Sequence, residues 1–521
     1  MNRETPRKTI NQQVLDQYRD RFASQTQYGA EILKLFRNSN VDIYRFEPDP
    51  PGRWWLNLVM PPQIAEMFDT QLEVACLYTE YRHVEPRLLS VLQRRLRDDA
   101  RVDPEFAVVA SLDSELGRLV ARRRGEFALL SIDATQLSIP SSADLRTRMS
   151  EVLTGLDHYD VTFPVTEISG FFGRRREVDA LKFSLDRGQP VGIFGLRKAG
   201  KTSLLNFVQR QRIEAGRPVV RLDMSEVASA AEFRLELVQR THTALQLRNQ
   251  KPPNIKLLTR EGSYRADSPP IQLHWISDMS KLLDMLDMRL EIIIDEIDQA
   301  YPDRSTLGHE TAREIFTSLT QLRGLIQRRD SNGLTSIVLL CAGVDPAIFE
   351  RPLLSGRDNL LYKLVRLQFL APMERDEMAE MVRSLGKRMG LRVRDYEVIN
   401  YLFDQYGGHP LLTRKACSIA TRKRPPHEIP WDIPLSAVRD AAAKRGRDTP
   451  AEQATDVLAS FEEWFPEEAY MLKSLWSGPE EDRVAMRQLL GEDPTAALHV
   501  PAYGLSNDDW SPRIKALVPF L

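Results

Sequence analysis

The sequence predicts an α/β fold in which a doubly wound parallel sheet carries a glycine-rich loop, with a separate N-terminal α/β domain ahead of it. Three observations predict this. The apolar run Val191, Ile193, Phe194 is followed by glycines and then by Leu204, Leu205 and Val208 at helical spacing, so strand, loop and helix succeed one another. The stretch LEIIIDEID at 290–298 holds Ile292, Ile293 and Ile294, a β-branched run of the kind buried on both faces of a parallel sheet, and it ends in acids. Strand and helix patterns alternate around both stretches.

Composition narrows the classes. The chain has 521 residues, enough for roughly three domains, each with its own core. Its 71 basic and 73 acidic residues leave a net charge of −2, so polyanion binding by bulk electrostatics is excluded and any nucleic-acid contact must be local. Cys76, Cys341 and Cys417 lie far apart with no CxxC spacing, which argues against a disulfide framework and a zinc site and for a reducing compartment. No apolar run approaches the ~20 residues that cross a bilayer, and the start MNRETPRKTINQQ has no apolar signal region. A cytoplasmic protein with no membrane partner is expected.

The first 160 residues read as an α/β unit. Leu56–Met60, Leu72–Tyr81, Phe106–Ser111 and Phe127–Ile132 have strand patterns, while Leu88, Leu89, Leu92 and Leu96, then Leu116, Leu119 and Val120, mark helix faces. The acids Glu80, Asp113 and Asp133 at strand ends raise the idea of a nuclease, but no lysine stands beside them between residues 35 and 181. Cys76 with His83 raises the idea of a thiol nucleophile, against which an apolar strand cysteine reads as inert core. A binding or sensing domain is the default expectation for 1–160.

In the loop itself, GLRKAGKT places Gly195, Gly200, Lys201 and Thr202 at the spacing GxxxxGK[ST]. Glycines suit a backbone that wraps a phosphate closely and needs positive φ, and the following helix adds its N-terminal partial charge. The predicted cradle is Gly195, Leu196, Arg197, Lys198, Ala199, Gly200, Lys201, Thr202 and Ser203. Lys201 is placed to reach β and γ phosphates, and the Thr202 hydroxyl to bind Mg2+. The strand ending in Asp295 and Glu296 supplies the second half: Asp295 for the metal shell, Glu296 to orient and polarise the attacking water. ATP or ADP with Mg2+ is the expected cofactor pair, and Glu296, Asp295 and Lys201 are the expected catalytic residues.

The rest of the core follows in order. RPVVRLDMS at 217–225 reads as a second parallel strand and Ala231–Leu247 as its helix. The proline-rich, polar stretch 251–270 reads as a surface excursion, and Ile315, Leu319, Leu322 and Ile326 as a helix packed on the sheet. Residues 375–421 read as mostly helical.

Two segments carry a family resemblance. ISGFFGRRREVDAL at 168–181 resembles the FxGR segment that lies along the adenine in AAA+ and STAND-type P-loop ATPases, which implies Phe172, Gly173 and Arg174 as nucleotide contacts. YGGHPLLTRKACSIA at 406–420 resembles the GxP element of STAND proteins and of archaeal ATPases related to origin initiators, which implies Gly408 and Pro410 near the nucleotide, with Arg414 or Lys415 as further phosphate contacts. The resemblance covers about 165–521 and implies an ATPase core over 165–370, a helical lid over 371–425 and a winged-helix domain over 435–521. Within the last, a YGL strand, the polar turn SNDDW and a final apolar strand look like the wing. Its acids Glu462, Glu463, Glu467, Glu468, Glu480, Glu481 and Asp482 favour packing over phosphate contact. The basic cluster Arg422, Lys423, Arg424 reads as a solvated linker.

The sequence departs from the family at SIVLLCAGVDP, 336–346, whose strand ends at Cys341, Ala342 and Gly343 without the polar sensor residue. Arg351, Arg357 and Arg366 follow it, and none is singled out as an arginine finger. Slow hydrolysis, or hydrolysis only after assembly, is therefore expected. Two function classes follow from the resemblance: a nucleotide-controlled STAND-like switch, in signalling for defence or stress, working as a homo-oligomer or with a partner protein; and a DNA-acting AAA+ initiator or loader that uses its winged helix.

Overall fold

The structure, a computed structural model, describes residues 12–70, 72–121, 127–138, 142–160, 164–165, 170–248, 250–259, 261–265, 271–354, 356–425 and 428–521. Ile168 and Ser169 of the FxGR segment, and parts of 251–270 and of the linker at 421–434, lie outside the described residues. The chain divides into two compact units. Met1–Asp160, Ala379–Ile399 and Ala416–Ala441 form one, and Val161–Met378, Asn400–Lys415 and Ala442–Leu521 form the other.

The first unit is built on a five-stranded sheet in the order β1-β2-β3-β4-β5, with β1 Asp42–Asp49, β2 Arg53–Val59, β3 Glu73–Thr79, β4 Val102–Ser111 and β5 Ala128–Ile132. β1, β2 and β3 run antiparallel, and β3, β4 and β5 run parallel. The two-residue alternation of strand side chains sorts the core. Leu56, Cys76, Tyr78 and Val108 face one apolar layer, and Trp55, Leu77 and Val109 face another, which the helix Pro86–Asp98 closes with Leu88, Leu92 and Leu96. β1 is an addition to the strands read from sequence. Of its residues only Phe46 is buried, as suits a charged edge strand with too little apolar patterning to announce itself. The strand-end acids serve as local caps: Asp113 accepts from the Val84 and Glu115 amides at 2.7 and 2.8 Å, Asp133 from Gln136 at 3.1 Å, and Glu80 from the Gln27 amide at 2.9 Å. Burial raises the Cys76 thiol far out of the nucleophilic range. The linker cations are also engaged, Lys423 with Asp440 and Arg424 with the Met389 carbonyl at 3.1 Å.

The second unit holds a fully parallel sheet of β6 Val191–Phe194, β7 Val219–Asp223, β8 Leu290–Asp295, β9 Ile337–Gly343 and, after a short hairpin of β10 Leu353–Leu354 and β11 Arg357–Asp358, β12 Arg366–Phe369. Their order is β12-β6-β9-β8-β7. Every residue of β6, β8 and β9 is buried, which explains their unbroken apolar runs. The exception in β8, Glu291, is held by Arg212 Nε at 2.9 Å and Arg217 Nε at 3.0 Å, so its charge is compensated. Helix Ala230–Leu247 is capped by Ser229, which accepts from the Glu232 amide at 3.1 Å, while Glu232 reaches back to accept from the Ala228 amide at 2.7 Å.

The C-terminal region of this unit differs from the wing expected of it. Helices Pro450–Trp464, Pro466–Ser477 and Glu480–Glu492 are present, but His499–Ala502 is a short helix and Lys515–Phe520 is a 3-10 helix. Only one bridge, Ser506 with Pro512, closes over the polar turn. Pro501, Pro512 and Pro519 lack the amide a strand ladder needs, and the apolar residues of the tail are used in helical turns instead. Among the described residues no helix is long and apolar enough to cross a membrane.

Candidate functional site

The glycine loop leaves β6 at Phe194 and enters the helix Lys201–Glu214. Leu196 and Ala199 are buried and pin the loop to the core, while Arg197 and Lys198 point to solvent. Lys198 and Gly200 adopt left-handed φ of 60° and 100°, the alternation that turns successive amides inward as an anion nest. A Cβ on Gly195 would stand 2.9 Å from the Leu370 carbonyl oxygen, so close approach of the chain after β12 demands glycine there. Lys201 is 5% exposed, and its Nζ donates to the Gly195 and Leu196 carbonyls, each at 3.0 Å, which sets the ammonium in the hollow of the loop. Burial pushes its pKa down, against the pull of Glu296, Asp298 and Asp295. Thr202 is half-buried in the first helical turn, and the Ser203 hydroxyl accepts from the Val165 amide at 2.9 Å.

The acids stand where β8 ends. Asp295 is 1% exposed; its Oδ1 accepts from the Glu296 amide at 3.2 Å and its Oδ2 from Arg221 Nη2 at 2.8 Å. Glu296 takes a left-handed φ of 53°, which turns its side chain out of the strand's alternation. Burial raises its pKa, and Lys201 opposes the rise. A third acid, Asp298, is buried, and burial together with Glu296 pushes it up to about 7. Its Oδ1 accepts from the Val344 amide at 3.0 Å, just past the end of β9. A Cβ on Gly343 would fall 1.9 Å from that same oxygen, so glycine is required at the end of β9. Gly343 also accepts from the Gly195 amide at 3.3 Å, tying the end of β9 to the loop.

The leading segment and the GGHP turn converge on the loop. Arg174 is buried with φ 62° and donates to the loop carbonyl of Ala199 at 3.2 Å and to Ala371 at 2.5 Å, while its amide donates to Glu377 at 2.9 Å. Gly173, at φ 61°, leaves room for the Glu377 side chain, and Phe172 is half-buried beside it. Phe171 stacks on Phe207 of the loop helix with centroids 4.5 Å apart. Gly408, at φ 82°, donates no side chain to a space where a Cβ would lie 1.9 Å from the Met373 carbonyl oxygen. Pro410 opens its helix at a position that needs no amide. Between them His409 is fully buried, and burial followed by the charges of Arg174 and Lys201 lowers its pKa to about 4, so it is a neutral ring beside the loop. Arg414 is buried, and Lys415 pairs with Asp448 at 2.5 Å.

Arg221, Asp298, Gly343 and His409 were not among the residues expected from sequence. The repeat of acids in DEID was a local signal for Asp298; the others are brought in by the sheet and the turn.

The donor set fits a nucleotide with magnesium. The loop turns through left-handed φ at Lys198 and Gly200, its ammonium is buried, and Thr202 Oγ1 and Asp295 supply the hard oxygen donors that magnesium takes. Parallel sheet, glycine loop at the head of its helix and the acidic end of β8, one strand removed from β6 across β9, together have the arrangement of a P-loop α/β core. Neither a protein-family model nor a curated protein matches the chain. Among solved structures, it is similar to a Walker-type ATPase of Pyrococcus abyssi at TM-score 0.46 and 16% identity, over 70% of this chain and 100% of that one. It is also similar to Cdc6p from Pyrobaculum aerophilum, at TM-score 0.36 and 12% identity over 70% of this chain and 96% of that one. For the Orc1 protein of Aeropyrum pernix, solved in complex with DNA, the TM-score is 0.33 and the identity 13%, over 62% of this chain and 78% of that one. All are remote likenesses.

Proposed function

We propose that the protein is an ATP-binding, slowly hydrolysing P-loop NTPase that works as a nucleotide-controlled switch. The observation that carries this is the GGHP turn seated on the glycine loop, with a neutral, buried His409 between Gly408 and Pro410. A ligand in that loop meets core and lid together, and a ligand shifts an equilibrium only by its differential affinity for the two states.

The chain's own residues then divide the work. The amides of Gly195–Thr202 and the Lys201 ammonium hold the phosphates, and Phe172, Gly173 and Arg174 take the base end, the role the FxGR resemblance gives them. Thr202 and Asp295 would hold magnesium, which when bound neutralises phosphate oxygens as a Lewis acid. Glu296 orients water and takes its proton, a task for which a carboxyl raised by burial is better matched to neutral pH. Slow turnover is favoured by the end of β9, where a glycine backbone and the buried Asp298 occupy the place of a polar sensor. The C-terminal region supports a packing role rather than a grip on DNA. Its His499 faces Glu350, its Tyr503 hydroxyl donates to the Val344 carbonyl, and its Arg513 donates to the Gly407 carbonyl at 3.2 Å.

The test is the nucleotide that travels with the purified protein, released by denaturation and separated by anion exchange, followed by sizing with ADP and with ATP. Retained ADP and a size change with ATP are expected. Lys201→Ala should abolish binding, while Glu296→Gln should bind and fail to hydrolyse. An empty site together with hydrolysis that rises on adding duplex DNA would replace the switch with the DNA-acting reading.

A further inference from the structure

The strand that flanks the acidic one contributes a residue that the glycine loop and its acids do not account for. Arg221 lies on β7 opposite Ile293 in register, while Asp223 lies opposite Asp295. Residues two apart on a strand share a face, so Arg221 is the diagonal neighbour of Asp295. Its guanidinium forks. Nη2 donates to Asp295 Oδ2 at 2.8 Å, and Nη1 donates to Asn206 Oδ1 on the loop helix. Asn206 is itself braced, its Nδ2 donating to the Val165 carbonyl at 3.2 Å. The Arg221 side chain is 15% exposed and that of Asp295 1%, so the pair is shielded and its attraction is little screened.

Each oxygen of Asp295 thus accepts one hydrogen bond, Oδ1 from the Glu296 amide and Oδ2 from Arg221. A carboxylate oxygen can accept a hydrogen bond and ligate a metal through different lone pairs, but a guanidinium and a dication at one oxygen repel each other, so the pairing with Arg221 opposes the metal. We propose that Arg221 competes with magnesium for Asp295 Oδ2, so that the metal dependence of nucleotide binding is set by β7 as well as by the loop. This inference rests on the nucleotide-binding reading above. Its effect has two signs. A fixed positive charge beside the loop weakens the hold on a dication and strengthens the hold on metal-free phosphates. The protein therefore binds nucleotide with a shallow dependence on magnesium, and Arg221 acts as a positioning residue through Asp295.

The test is a magnesium titration of binding with a fluorescent ATP analogue, in EDTA-buffered solution, on the full chain. Arg221→Met keeps the length of the side chain and removes its charge. The magnesium midpoint should fall about tenfold, the equivalent of one charge-assisted hydrogen bond no longer competing, while metal-free binding weakens. Arg221→Lys, which keeps a charge without the fork, should fall between the two. A merely structural role predicts loss of affinity at every magnesium concentration, not a lowered midpoint. If Arg221→Met fails to fold, Asn206→Ala decides: it leaves the Arg221 charge in place, removes the acceptor on Nη1 together with the Val165 contact, and should lower the midpoint in the same direction. An unchanged or raised midpoint in a folded variant overturns the competition and leaves nucleotide binding standing. A parent chain that binds no nucleotide, or a Lys201→Ala variant that binds it as tightly as the parent, overturns the reading beneath it.

Discussion

His499 offers the sharpest test of the electrostatics that hold the C-terminal region to the core. Its ring is stacked on Phe465 with centroids 4.3 Å apart, its Nδ1 faces Glu468 Oε1 at 2.6 Å, and its Nε2 faces Glu350 Oε2 at 3.3 Å. Two carboxylates at the two ring nitrogens are satisfied only if both nitrogens carry protons. Burial alone would lower the pKa, but the hydrogen bonds to Glu350 and Glu468 outweigh it and raise it from 6.5 to about 9. Because the folded value lies above the unfolded one, the stabilisation is fully present below about pH 6.5 and is lost as pH rises through about 9. At about 1.4 kcal/mol per pKa unit, the shift is worth about 3 kcal/mol of local stability at pH 6. The assay is a ring-proton NMR titration of the eight histidines, with the His499 signal identified by its loss in His499→Gln. Amide exchange over 494–506 should accelerate in the parent between pH 7 and 10, after correction for the intrinsic rate, and show no such step in the variant. A His499 midpoint at or below 7 would refute the reasoning, since one carboxylate contact would then have to be absent.

The remaining predictions concern the floor of the site. Gly343→Ala puts a methyl group 1.9 Å from Asp298 Oδ1, and displacing that buried oxygen should cost about 1–3 kcal/mol, read as a lower Tm. An unchanged Tm would mean the Asp298 contact is not made. Asp298→Asn keeps an acceptor for the Val344 amide and removes the titration. Since the folded pKa of Asp298 is raised to about 7 from 3.8, the parent loses stability as pH rises through that window and the variant should not, so their Tm difference grows with pH and levels off above about 7. Parallel Tm curves for parent and variant would place Asp298 in a far more solvated site.

Legibility followed locality. The glycine loop and the LEIIIDEID strand were readable because each packs its signal into contiguous residues, and the paired requirements of strand, loop and helix leave few alternatives. β1 was hidden because an edge strand carrying Arg45, Glu47 and Pro48 has one buried residue to show. The tail is not legible as helical turns because Leu517 is buried from a turn as readily as from a strand, and apolar content alone does not separate them. Arg221 looks like any solvent-facing residue of an alternating strand; only the register with β8 brings it to Asp295. His409 sits between a glycine and a proline that are legible in the sequence, but its neutrality is decided by the burial and cations around it.

Val344 is gripped through the two peptide units that flank its Cα. Asp298 holds its amide hydrogen and the Tyr503 hydroxyl holds the carbonyl oxygen of the same residue, at opposite sides of one short stretch of backbone. Neighbouring peptide planes turn only about φ and ψ, so a displacement of Tyr503 is passed to Asp298 as a tilt or else leaves a buried donor or acceptor orphaned, at about 1–3 kcal/mol. Tyr503 and the acidic turn that carries Asp298, some two hundred residues apart in sequence, thus share one backbone residue as their point of contact.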